Sequence, residues 1–127
     1  MANKLTYLDF ATDEAMYLMT AYTQGLRYNA MVSQAQRICE CYLKHLITKN
    51  MFNAGDVMMS HNLRELYSYI ENSGIDISAI RQDIMLLNNY YTHTRYPGRE
   101  AFMAGETDIT CAVEAVGRIA KIIARHF

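Results

Sequence analysis

From residue 12 to residue 125 the apolar side chains recur at three- and four-residue spacings, and nowhere do they alternate with polar ones as a half-buried strand requires. That pattern confines the chain to helices. Its only proline, Pro97, comes late, so little interrupts them. A chain of 127 residues can bury about two-thirds of its unfolded surface. One domain is expected over 1–127, with its core over about 12–125.

The punctuation divides the chain into four to five helices. A first helix is expected to open at Thr12, with Asp13 and Glu14 complementing its dipole and Gly25 marking a bend or break. Its core positions would be Ala15, Met16, Met19, Tyr22 and Leu26. A second helix is predicted over 28–48. Ala35, Ile38, Cys39, Tyr42 and Leu46 share one face, and Arg37, Glu40, Cys41, Lys44 and Thr48 share the other. Arg37, Glu40 and Lys44 have the spacing of ion pairs along a solvated face.

Residues 50–60 read as the longest loop. Asn62, Leu63, Arg64 and Glu65 then resemble a capping box for a short third helix, which Asn72, Ser73 and Gly74 close. Ser78 is expected to cap a fourth helix with an inward stripe of Ile80, Ile84, Leu87 and Tyr91. Thr107 and Asp108 would open the last helix, turning Val113, Val116, Ile119, Ala120 and Ile123 inward and Arg118, Lys121 and Arg125 outward. Short turns between such helices give an all-α, up-and-down antiparallel bundle.

Charge and cysteine usage narrow the function. A net charge of −1 argues against general nucleic-acid binding, which calls for a basic surface. Cys39, Cys41 and Cys111 are odd in number and badly spaced for a secreted disulfide framework, so a reducing, cytoplasmic setting is expected. No apolar run of signal-peptide or membrane-span length is present. Cys41 and His45 are four apart on a helix, but two ligands do not make a metal centre, and no metal is expected.

The densest chemistry lies in Tyr90, Tyr91, Thr92, His93, Thr94, Arg95, Tyr96 and Pro97. Pro97 forces Tyr96 out of the α region, so the fourth helix must end near here. Arg95 then falls in a last helical turn among aromatic rings. Its planar guanidinium suits phosphate, and the rings of Tyr90, Tyr91 and Tyr96 offer a surface for a base. The alternative role is structural: an arginine in a last turn satisfies free carbonyls and complements the helix dipole.

Three segments, in this order and spacing, resemble the HEPN domain (higher eukaryotes and prokaryotes nucleotide-binding). They are Gln36 to Ile47 on the second helix, Ser60 to Leu66 at the start of the third, and Thr94, Arg95, Tyr96 and Pro97. The resemblance covers nearly the whole chain and implies a helical bundle assembled as a homodimer. Many HEPN proteins are ribonucleases with an arginine followed, after four to six residues, by a histidine. No arginine here has a histidine at that spacing; seven residues separate Arg37 from His45. A general base for the 2′-hydroxyl paired with a cation for the phosphate is therefore missing, and no ribonuclease activity is expected.

The chain looks closer to the small members found beside a minimal nucleotidyltransferase. For these the resemblance implies binding of a nucleotide, such as ATP with magnesium, or engagement of that enzyme, as in a toxin–antitoxin pair. Carried over residue by residue, it makes Lys44, His61 and Arg95 the polar groups of a ligand cleft, with Arg37, Tyr91 and Tyr96 beside them. Glu40 matches the family glutamate of the second helix. Cys41 stands where the family usually has lysine, and Asn62 replaces an acidic residue.

Overall fold

The computed structural model describes residues 5–50, 55–90, 97–99 and 101–126. Within them the chain forms five α-helices: α1 (Tyr7–Thr23), α2 (Ala30–Asn50), α3 (Leu63–Asn72), α4 (Arg81–Asn88) and α5 (Glu106–Ala124). Short 3₁₀ turns occupy Gly55–Met59 and Ser78–Ile80. No strand occurs among the described residues. The architecture is the all-α antiparallel bundle that the periodicity predicts. No helix among these residues is long and apolar enough to cross a membrane.

α1 begins five residues before its predicted start. Thr6 is its cap: the Asp9 amide donates to Thr6 Oγ1 at 3.2 Å, and the Thr6 amide donates to Asp9 Oδ2 at 2.7 Å. This reciprocal pair satisfies two backbone donors and fixes the helix entry. The inward face differs as well. Ala11, Ala15, Leu18 and Ala21 are buried, whereas Met16 is 67% exposed and Leu26 is 38% exposed. Met19 and Tyr22 pack at the margin of the core. Apolar residues lie on both sides of α1, so their spacing alone did not fix its rotation.

Gly25 ends this helix at φ +90°, and Gly74 ends α3 at φ +93°, left-handed positions that a glycine occupies without Cβ strain. Ser78 does not cap α4. Its amide and hydroxyl both donate to Asp76 Oδ1, at 2.9 and 2.7 Å, which makes it the start of the 3₁₀ turn instead. α5 opens at Glu106, just before the predicted cap, and the Gly105 amide donates to Asp108 Oδ2 at 3.0 Å. Its predicted inner residues Val113, Val116, Ile119 and Ile123 are buried, joined by Ile109, Ala112 and Ala115, while Ala120 is half-buried. Arg118, Lys121 and Arg125 are exposed as predicted.

α2 is the centre of the bundle and packs against α1, α3, α4 and α5. Its predicted apolar face is buried throughout. The opposite face departs from expectation. Arg37 and Thr48 are exposed, but Glu40 and Lys44 are buried, because neighbours on several sides enclose more of α2 than its apolar stripe. Polar ties hold the outer helices: Tyr22 Oη bonds Thr110 Oγ1 at 2.7 Å, and Arg118 grips Asp83 through Nε and Nη2. The latter is a bidentate pair that holds the Arg118 guanidinium proton more tightly still.

Candidate functional site

Gln36, Glu40 and Lys44 follow one another at four-residue intervals and so lie along one line of α2. All three are buried. Glu40 and Lys44 form an ion pair at 3.0 Å between Oε2 and Nζ, in the favourable order for a helix. A carboxylate removed from water demands such compensation, and Lys44 supplies it. The charge of Lys44 is therefore committed inside the protein.

The loop before α3 completes the cluster. Asn62 caps α3 by accepting the Arg64 amide at 2.9 Å. Glu65 does not return to the cap's backbone as in a capping box; it accepts the Ser60 hydroxyl at 2.7 Å. Ser60 Oγ in turn accepts the Asn62 amide at 3.0 Å. The tight turn presents His61 to α2. Gln36 Nε2 donates to the His61 carbonyl at 3.1 Å, and His61 Nδ1 lies 3.1 and 3.2 Å from the two oxygens of Glu40.

A carboxylate can only accept, so Nδ1 carries the proton and donates it. In the neutral ring the lone pair then falls on Nε2. The imidazole is thus oriented by a buried carboxylate while its side chain stays 57% exposed, against 11% for Glu40 and 6% for Lys44. Such a ring can accept from a ligand when neutral, or donate to an anion when protonated. The Leu63 amide donates to Asn88 Oδ1 at 2.8 Å, tying this corner to the end of α4 and so to the chain that leads on to residue 91.

Of the six ligand residues proposed from the sequence, His61 and Lys44 come together, with Glu40 between them. Arg37 does not join them; it points outward and pairs with Glu14 of α1. Tyr91, Arg95 and Tyr96 lie outside the described residues, as do His93 and Thr94. The preceding Tyr90 is buried, its ring tilted 47° against Phe102 at 6.0 Å. Gln36 and Asn88 were missed. Gln36 had a signal in its four-residue spacing from Glu40, whereas nothing in the sequence near Asn88 points to Leu63.

The neighbouring groups are chemically quiet. Burial, with Glu40 and Glu14 nearby, pushes the Cys41 thiol up to about 11, and burial raises Cys39 further. Neither is a poised nucleophile. Burial and nearby Lys49 hold His45 below the usual histidine range. Among the described residues no three His, Cys, Asp or Glu side chains gather to hold a metal ion. A family model described as HEPN domain matches residues 11–126. Neither curated proteins nor solved structures give a match.

Proposed function

The chain belongs to the HEPN domain family, and from that premise we propose that it is a non-catalytic module binding a nucleotide or another phosphate-bearing ligand beside His61. At the family level it is a nucleotide- or RNA-related module. The observation that carries the finer reading is the exposed His61 imidazole oriented by the buried Glu40–Lys44 pair. Building a hydrogen-bonding ring onto a neutralised ion pair pre-organises it for a ligand. In this reading Lys44 is a positioning residue that neutralises Glu40, and Arg95 supplies the cation for phosphate.

Calorimetric titration of ATP with magnesium tests this in the wild-type protein, His61→Ala and Arg95→Ala. A saturable heat lost in both variants is the expected result; a flat wild-type trace sinks the reading for ATP. The second reading is an interaction protein, a homodimer engaging a nucleotidyltransferase as in a toxin–antitoxin pair. HEPN domains commonly dimerise. The large apolar side chains left exposed on α1 favour this reading specifically.

A further inference from the structure

His61 meets a ligand through one atom of its ring. Nδ1 is spent on Glu40, 3.1 and 3.2 Å from the two carboxylate oxygens, and Gln36 Nε2 holds the His61 carbonyl at 3.1 Å. Both holds come from buried side chains of α2, and together they set which edge of the ring turns outward. That edge carries Nε2. In the neutral ring, with the proton on Nδ1, Nε2 presents a lone pair and nothing to donate.

An ionised phosphate also presents lone pairs, so it makes no hydrogen bond to the neutral ring. A second proton reverses the match, because both nitrogens then donate. The charges point the same way. With a neutral ring, Glu40, Lys44 and His61 sum to zero; with a protonated ring they carry one positive charge. Lys44 is committed to Glu40 and Arg37 to Glu14. Burial keeps Cys41 a neutral thiol, and α4 brings only the neutral Asn88 to Leu63. Asp56 of the 3₁₀ turn and Arg64 and Glu65 of α3 are exposed and of both signs, so water and salt screen them.

We infer that His61 holds the ligand's phosphate as an imidazolium, so that binding takes up a proton and weakens as the pH rises. This rests on the reading that a phosphate-bearing ligand binds beside His61, and it gives that site a pH dependence and a preference for charged phosphate over a free nucleoside. One linked proton changes an affinity by at most about tenfold per pH unit. Two measurements test it on the full chain with ATP and magnesium. Nitrogen-15 spectroscopy of the His61 ring at about pH 7 reads the proton on each nitrogen, with and without the nucleotide. Calorimetric titration from about pH 6 to about pH 8 compares the wild type with His61→Gln, whose amide donates at every pH. The position is exposed, so the fold tolerates the change, and the nucleotide's own titration is common to both proteins.

In the spectrum of the protein alone, Nδ1 is expected to carry the larger share of protons; with nucleotide bound, both nitrogens carry one. The wild type should lose at least about fivefold more affinity across the pH range than His61→Gln. An unprotonated Nε2 in the complex, or the same pH dependence in both proteins, overturns the inference and leaves the ligand reading standing. Binding that tightens with rising pH relative to the variant assigns His61 to a hydroxyl or amine of the ligand, and overturns it too. If His61→Gln binds nothing, the ring spectrum of the wild-type complex decides. A wild type that gives no heat at any pH removes the ligand reading and this inference together.

Discussion

α1 and α5 both pack on the central helix, yet they divide their apolar residues in opposite ways. α5 sends Ile109, Val113, Val116, Ile119 and Ile123 inward and leaves Glu114, Arg118 and Lys121 in water. α1 sends alanines inward and leaves Phe10, Met16 and Tyr17 outside. The difference shows that two kinds of packing hold the same bundle. α5 contributes by area, filling volume with branched side chains. α1 contributes by proximity, since alanine on its inner face lets its backbone come close to a neighbour that also carries the buried Ala35. A helix of the first kind announces its buried face in sequence; a helix of the second kind does not.

The largest expected effect lies on α2, between the two, where the buried row uses neither kind of packing. Glu40→Ala leaves Lys44 buried without its counter-charge and should cost about 3–5 kcal/mol in urea unfolding, whereas Glu40→Leu/Lys44→Met should fall close to neutral. A single variant as stable as the wild type would mean that water already reaches the pair.

Next in size, Ile119→Ala on α5 should cost about 2–5 kcal/mol, because a buried methyl-rich side chain leaves a cavity. Tyr17→Ala on α1 should stay within about 0.5 kcal/mol of the wild type. Similar losses at the two sites would erase the contrast. Ala15→Leu tests the proximity of α1 directly. Enlarging a buried alanine at a close approach should destabilise by about 1–3 kcal/mol, and a gain in stability would show spare room.

The smallest effect concerns the outer edge of α2. His45 binds its proton less readily in the folded protein than in the unfolded chain. Stability is therefore full above the ordinary histidine value of about 6.5 and declines as the pH falls through it, while the unfolded chain takes up the proton first. His45→Gln should flatten that decline in thermal melts between about pH 7 and pH 5. An unchanged slope would place the titration elsewhere.

The legibility of the chain follows the same division. The branched residues of α5 and the stripe Ile80, Ile84 and Leu87 were readable because apolar area at helical spacing has one favourable orientation. α1 was misrotated, since its spacing also fitted Met16 and Leu26, and its start was missed because Asp9 does the work of the more usual glutamate in the cap. Of the site, the order of the helix-two, His61 and Arg95 segments was legible through family resemblance. The role of Lys44 was not. Its four-residue spacing from Glu40 announced the ion pair but gave no hint that both groups are buried.

By itself, then, the sequence determined the helices, several of their ends and the family, because those depend on periodicity, turn residues and motif order along the chain; it did not determine the end of α4, which falls at Asn88 rather than near Pro97. Tertiary structure alone decided which side of α1 faces inward, that Arg37 leaves the cluster for Glu14, and that His61 meets Glu40 across a gap of 21 residues. Those outcomes depend on how many neighbours enclose each helix. A buried charge must find its partner wherever the packing has left one, and that requirement has no signature at the level of neighbouring residues.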